Sequence, residues 1–173
     1  MKRELGAEDL RSSSIELLHK MVSQRRAEVT AAVAAPVEAG ATRIFQRIAG
    51  TRLGRVQLGE SFEPSGVVPE LAGAAVGLDS ISGGEQEQLH LATRLALADV
   101  LAKEERQLVV LDDVLTATDT GRFARVMAIL EEAAQRLQVL ILTCHPERYG
   151  GLDAARFFDL ESLLRGDTAR RAT

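Results

Sequence analysis

SISGGEQEQLHLATRLALADVL, residues 80–101, sets a pair of glycines directly ahead of a long apolar-rich stretch. Leu89, Leu91, Leu95, Ala96, Val100 and Leu101 fall around much of a helical circumference. The spacing therefore predicts a helix over residues 84–103 that is buried on more than one side. Ser82, Gly83 and Gly84 stand at its start. Backbone amides bunched at a helix N-terminus, with no side chains to block approach, make a receptor for a phosphate. A nucleotide site normally also carries a lysine-bearing loop, G-x-x-x-x-G-K-[ST]. The lysines here are Lys2, Lys20 and Lys103, and no glycine directly precedes any of them. One half of a phosphate-binding apparatus is written without the other.

Downstream, QLVVLD (107–112) and QVLILTC (138–144) are nearly continuous apolar runs. Such runs predict strands of a parallel sheet covered on both faces. Between them, residues 119–137 place Phe123, Val126, Met127 and Leu130 on one helical face, giving a strand–helix–strand crossover. A further edge strand is expected at ARFFD (155–159), then a short terminal helix. Upstream, RVQL (55–58) alternates at period two between glycines, and the Pro- and Gly-rich stretch to Gly77 predicts short strands and turns.

Residues 8–35 contain no proline or glycine. Ile15, Leu18, Val22, Arg25, Val29 and Ala32 recur at steps of three and four, which fits either a coiled-coil arm or an amphipathic helix packed on the domain. Pro36 is expected to start a second helical segment carrying Ile44, Phe45 and Ile48. The resulting division is a helical arm over 1–49, an α/β lobe over 50–164 and a loose polar tail over 165–173. The RGD tripeptide of the tail (165–167) carries no functional weight in an intracellular chain.

Composition bounds the possibilities. With 173 residues, one core with an appendage is expected. Aromatic content of 3% leaves little for base-stacking platforms, and a net charge of −4 supplies no basic field for nucleic acid. A single cysteine excludes an internal disulfide and fits a reducing cytoplasm. No apolar run approaches the ~20 residues that span a bilayer. The opening MKRELGAEDLRSS lacks the apolar centre of a signal peptide.

In open parallel sheets ligands bind beyond the carboxyl ends of strands. Those ends are Asp112-Asp113 and Thr143-Cys144-His145. The adjacent aspartates suit a hard cation such as Mg²⁺, or they cap a turn. His145 taken alone is likewise open, reading as a satisfied structural imidazole before a functional one. Cys144, ending an apolar strand with no second Cys/His cluster, is expected to be buried and inert. His19 and His90 have nothing beside them to form a site, and Ser82 lies in no G-x-S-x-G elbow.

Taken in chain order, Ser-Gly-Gly-Glu before a helix, a strand ending Leu-Asp-Asp, a following Asp119 and a strand running into His145 resemble the carboxyl-terminal half of an SMC-type ATP-binding-cassette ATPase. The likeness covers residues 40–164 and is nearest the RecF, RecN and SbcC branch of DNA-repair proteins. ISGGEQ (81–86) resembles the signature loop, LVVLD (108–112) the Walker B strand, TATD (116–119) the D-loop and LTCH (142–145) the switch-histidine strand. The resemblance implies a partial P-loop NTPase head, with residues 8–49 as the returning helix of an antiparallel coiled coil. It also answers the missing lysine, because in that family each ATP lies between two heads and the lysine loop belongs to the amino-terminal lobe.

The resemblance further implies the following roles. Asp112 holds Mg²⁺ through water, Asp113 orients the attacking water and His145 senses the γ-phosphate. Ser82, Gly83, Gly84 and Glu85 close over the ATP of the opposing head, while Asp119 couples the two sites. Many family members have Glu where Asp113 stands, and the D-loop often has leucine before its aspartate. The expected function is half of a composite ATPase in DNA repair or chromosome maintenance, inactive alone, with ATP and Mg²⁺ as cofactors. The expected partner is a Walker A-bearing lobe or a full-length SMC-like ATPase, in a homo- or heterodimer that reaches DNA through the complex. If that lobe's central strand is absent, the Walker B strand has an open edge, a pairing hazard. The alternatives are a non-hydrolytic module that binds a complete ATPase, and a truncated gene product.

Overall fold

The computed structural model describes residues 2–71, 73–103, 105–115 and 118–165, with side chains from residue 13 onward. Helix α1 runs from Lys2 to Ala49, 48 residues and about 70 Å at the usual rise. It passes through Pro36 without ending, contrary to the expectation that Pro36 starts a new segment. An interior proline costs about 3 kcal/mol. Here it is flanked by alanines upstream and by an anchored segment downstream, where Val37, Ala41, Phe45 and Ile48 are fully buried. That burial holds the helix together across the missing hydrogen bond.

The two halves of α1 live in different surroundings. From residue 13 to residue 29 every side chain is exposed, and Ile15, Leu18, Val22 and Val29 are 60–64% exposed. The three- and four-residue stripe thus stands clear of the lobe, so an amphipathic helix packed on the domain does not describe this stretch. From Val37 onward the same helix is core.

Helix α2 spans Gly83–Leu101 and is the wall shared by two cores, as its all-round apolar pattern predicts. Leu89, Ala92 and Ala96 pack with Val37, Ala41 and Phe45 of α1 and with Val56 and Val67. Leu91, Leu95 and Ala98 pack with Ile48, Val109, Leu111, Val126, Ile129 and Leu130. Gly40 allows the two helices to close, since a Cβ there would stand 3.0 Å from that of Ala96.

Strands β1 (Arg55–Leu58), β2 (Pro64–Val68) and β3 (Val76–Gly77) form an antiparallel sheet in that order. Gly54, at φ 71°, turns the chain into β1. The edge of β1 is covered by α1 side chains: the Val56 amide donates to Thr42 Oγ1 and the Leu58 amide to Glu38 Oε1, both at 3.0 Å. Edge donors satisfied this way no longer offer a template for another strand.

Strand β4 (Leu108–Asp112), helix α3 (Thr120–Ala134) and strand β5 (Gln138–Leu142) form the expected crossover unit, with β4 and β5 parallel from Leu108↔Gln138 to Asp112↔Leu142. Helices cover only one face of this pair. Val109 and Leu111 are buried there, while Leu108, Val110, Leu140 and Leu142 on the other face are 39–55% exposed. The expectation of strands covered on both faces is therefore half met. The side chains needed for a second apolar contact are present, and no element among the described residues lies over them. Among the described residues β4 and β5 also pair only with each other, leaving each with an open edge there.

Residues 155–159 form no strand, against expectation. A five-residue run holds an extended ladder only beside a partner, and none borders it among the described residues. Asp159 instead caps the short helix α4 (Leu160–Leu164), accepting from the Glu161 amide. The tail expected from 165 onward lies, beyond Arg165, outside the described residues, as do Thr116 and Ala117 of the D-loop stretch. No helix among the described residues is long and apolar enough to cross a membrane.

Candidate functional site

The start of α2 is fixed by a reciprocal cap. Ser82, extended at φ −65° and ψ 152°, accepts from the Glu85 amide, and the Glu85 carboxylate takes the Ser82 amide in return. Glu85 Oε2 also accepts the Ser82 hydroxyl at 2.9 Å. Its other oxygen pairs with Arg52 Nη2 at 2.7 Å, and the Glu85 side chain is only 9% exposed. Burial pushes this carboxyl up, but the Ser82 hydrogen bonds together with Arg52 and Arg122 outweigh that, holding it below the usual carboxylate range. The amides of Gly83 and Gly84 take no part in the cap and have no acceptor among the described residues. A Cβ at Gly83 would meet nothing within 4 Å, so the space beside that residue is open.

The second group of residues lies where β4 and β5 end. Asp112 closes β4 with its side chain exposed, and its carboxylate has no hydrogen bond or ion pair among the described residues. Asp113 turns the chain at φ 46°, and its amide extends the parallel ladder by donating to Leu142 O at 2.8 Å. Both its carboxylate oxygens are engaged, Oδ1 by the Thr143 hydroxyl at 3.2 Å and Oδ2 by the Cys144 thiol at 3.3 Å. The thiol contact, aided by Thr143, holds Asp113 below the usual carboxylate range. The same contact pushes the thiol up. Cys144 is exposed, so the expectation of a buried thiol fails: the ladder stops at Leu142, and residues 143–145 turn outward over Asp113. His145 donates its amide to Thr143 Oγ1 at 3.0 Å, and its Nδ1 lies 3.4 Å from Glu147 Oε1.

A cleft of about 450 Å³ joins the two groups in part. Gly83, Glu87, His90 and Arg94 of α2 face Asp112 and Asp113 across it. Ser82, Glu85, Asp119 and His145 do not line it. The helix start and the aspartate pair come together because α2 and β4 are consecutive elements of one core, which sets the end of β4 near the beginning of α2. Among the described residues no cluster of three or more His, Cys, Asp or Glu forms a metal cage. One or two carboxylates on an open strand end fit Mg²⁺ of the kind that brings its remaining ligands from water and phosphates.

Asp119 caps α3, accepting from the Arg122 amide at 3.0 Å and pairing with Arg122 Nε at 3.3 Å. The amide contact holds it below the usual carboxylate range. Arg122 also lends a lesser charge attraction to Glu85, so the same guanidinium favours the ionised carboxylates of both caps.

Sequence reasoning missed several supports. Arg52 steadies Glu85 from the short turn after α1. Arg148 donates to Leu115 O at 3.1 Å while stacking on Phe123, 4.5 Å from the ring centre. Tyr149 Oη reaches Val114 O at 3.4 Å, so residues 148–149 brace the loop after Asp113. Only the position of this pair just past His145 could have flagged it. The signal for Arg52 is a long-range contact with no local pattern.

No protein-family model matches the chain. Over 119 residues it is 39% identical to the uncharacterized protein Rv1278 of Mycobacterium tuberculosis (strain ATCC 25618 / H37Rv), covering 65% of this chain and 14% of that protein. Over 97 residues it is 31% identical to the DNA double-strand break repair Rad50 ATPase of Methanocaldococcus jannaschii, covering 53% of this chain and 9% of that protein. The chain thus spans 14% or less of the length of these curated relatives. In structure it resembles an SMC ATPase solved in work on ATP-driven dimerization and DNA-stimulated activation, with a TM-score of 0.55 at 15% identity over 84% of this chain and 99% of that one. It also resembles the SmcHead bound to the C-winged helix domain of ScpA, with a TM-score of 0.50 at 19% identity over 68% of this chain and 36% of that one. The chain therefore has an α/β fold like that of an SMC ATPase head, and its sequence is related over half its length to a Rad50 ATPase.

Proposed function

We propose that this chain is the carboxyl-terminal half of an SMC-like ATPase head and contributes one side of a shared ATP site. The single observation that carries the reading is the meeting of Asp112-Asp113, at the end of β4, with Thr143–His145, at the end of β5, on a fold of the SMC-head kind. An acidic strand end beside a histidine-bearing strand end is the arrangement a water-activating surface needs. The capped start of α2, with the open amides of Gly83 and Gly84, supplies the complementary phosphate-facing surface.

In this reading Asp112 holds Mg²⁺, which would neutralise phosphate charge when bound. Asp113 orients the attacking water and His145 contacts the γ-phosphate. Ser82, Gly83 and Gly84 close over the ATP of an opposing head, with Glu85 holding the loop in shape and Asp119 coupling the two sites. Phosphoryl transfer depends mainly on positioning and charge stabilisation. A polypeptide without the lysine loop lacks a main source of both, so the chain by itself does not turn over ATP.

The uncovered apolar face of β4 and β5 supports a missing cover, and the reading assigns it to the lysine-loop lobe. The match to an SMC ATPase chain over 99% of that chain's length supports reading residues of this extent as one portion of such a head. The exposed stripe of α1 becomes one half of an antiparallel coiled coil. The Rad50 likeness points to DNA repair or chromosome maintenance, with DNA reached through the assembled complex in the cytoplasm.

The test is reconstitution. The chain is combined with a polypeptide carrying G-x-x-x-x-G-K-[ST], encoded immediately upstream or taken from the amino-terminal part of a relative, and ATP hydrolysis is measured. Turnover by the complex, none by the chain alone, and loss of turnover with Asp113→Asn are expected. Substantial hydrolysis by the purified chain alone that Asp113→Asn removes would refute the shared site.

A further inference from the structure

We propose that Thr143 and Cys144 are positioning residues that clamp the Asp113 carboxylate from the neighbouring strand and set the direction in which it receives the attacking water. The proposal rests on the role given to Asp113 above. An exposed aspartate at the end of a strand has two free side-chain torsions, and little local packing restrains them. Asp113 is restrained at three points instead. Its amide is tied to Leu142 O at 2.8 Å. Its Oδ1 takes the Thr143 hydroxyl at 3.2 Å, and its Oδ2 takes the Cys144 thiol at 3.3 Å.

All three ties come from consecutive residues of the β5 end, so they act as one rigid bracket. Thr143 is itself oriented, since its oxygen accepts the His145 amide at 3.0 Å and its proton is thereby directed toward Asp113. A carboxylate has about four lone-pair sites. Two are taken by the bracket, and those left belong to a side chain that lines the cleft with Asp112 and Gly83.

The bracket also suits an aspartate. Asp is one methylene shorter than the Glu common at this position in the family it resembles, and so has less reach of its own. A misplacement of about 1 Å can cost on the order of 10²-fold in rate, which gives the clamp its leverage.

Two measurements test this. The chain has one cysteine, so a thiol reagent such as a disulfide chromophore reports Cys144 alone. With the 173-residue chain at pH 8, Asp113→Asn is expected to raise the reaction rate about three- to tenfold, because the anion that disfavours the thiolate is gone. An unchanged rate overturns the contact. In the reconstituted ATPase, Cys144→Ala is expected to lower kcat about three- to tenfold with KM within about twofold, and Cys144→Ser to recover most of the loss. Equal loss in Ala and Ser variants, or no loss in Ala, overturns the positioning role. A wild-type complex that hydrolyses nothing rejects the ATPase reading and this role with it, whereas the thiol measurement still reports the contact.

Discussion

Arg52 and Glu85 form an ion pair 2.7 Å long between the turn that ends α1 and the first turn of α2. Glu85 spends its other oxygen on the amide and hydroxyl of Ser82, so the end of the long helix is joined to the glycine loop through one carboxylate. Arg52 is largely exposed and Glu85 is not. The strength of the arrangement therefore lies in the cap, with the ion pair as a steadying contact.

Replacing Glu85 should accordingly cost stability. Glu85→Ala removes the return half of the capping box and leaves the Ser82 amide unpaired, a loss of about 1–2 kcal/mol. Arg52→Ala, at an exposed partner, should cost about 0.5 kcal/mol. The penalty for Glu85→Gln should depend on pH. Because the folded protein holds the Glu85 carboxyl below its ordinary value of 4.5, its ionisation stabilises the fold above that value, and the contribution fades as pH falls below it. Urea titrations at pH 7 and pH 3.5 should show the wild-type advantage over Glu85→Gln shrinking at the lower pH. An advantage that grows on acidification would contradict the assignment.

Gly40 tests the contact between the arm helix and the helix that carries the glycine loop. Gly40→Ala gains about 1 kcal/mol of helix propensity but brings a methyl to 3.0 Å from Ala96 Cβ, so it should be close to neutral. Gly40→Val has nowhere to place its branches and should destabilise by about 1–3 kcal/mol through overpacking. Thermal unfolding of both variants beside wild type decides this. A Gly40→Val variant as stable as wild type would mean that the helices do not pack this closely.

The elements legible in the sequence were those whose signal is local. β1, α2, α3, β4 and β5 all follow from periodicity, within two or three residues at their ends, and so do the chemistry-bearing residues at the ends of β4 and β5. What escaped depended on neighbours. Pro36 reads as a boundary until Phe45 and Ile48 are seen to anchor the helix beyond it. Residues 155–159 read as a strand until the absence of a bordering strand among the described residues is known. Cys144 ends an apolar run in sequence, yet the ladder stops two residues earlier and the thiol turns out to Asp113. The roles of the candidate residues were read from a resemblance, and geometry alone does not supply them.

The open sheet face makes a paired prediction. Val110 is 41% exposed and its neighbour Val109 is 6% exposed, on opposite sides of one strand. Val110→Glu should change the stability of the chain alone by less than about 1 kcal/mol, whereas Val109→Glu buries an unpaired carboxylate and should cost more than about 3 kcal/mol. If the face receives the lysine-loop lobe, Val110→Glu should nonetheless abolish capture of that polypeptide and reduce self-association in size-exclusion chromatography with light scattering. A folded Val110→Glu chain that still captures the lobe as wild type does would place the lobe elsewhere.

Whether the glycine loop and the aspartate pair serve the same ATP or two different ones is decided by mixing variants. Gly83 and Asp113 border one cleft within a single copy, so a site closed within one chain and a site shared between two make different predictions. Consider reconstituted complexes of Ser82→Arg and of Asp113→Asn, each inactive alone. In a symmetric dimer with shared sites, a mixed dimer has one pocket with an intact loop from one copy and an intact Asp113 from the other. Random exchange then restores about a quarter of wild-type turnover, since half the dimers are mixed and each has one good site of two. The double variant mixed with either single variant should restore none, because every pocket then carries a defect. If both surfaces serve one ATP within a copy, the two single variants stay inactive in any mixture. Hydrolysis rates measured across mixing ratios should therefore rise to a maximum at equal amounts, and a flat baseline would replace the shared site with a self-contained one.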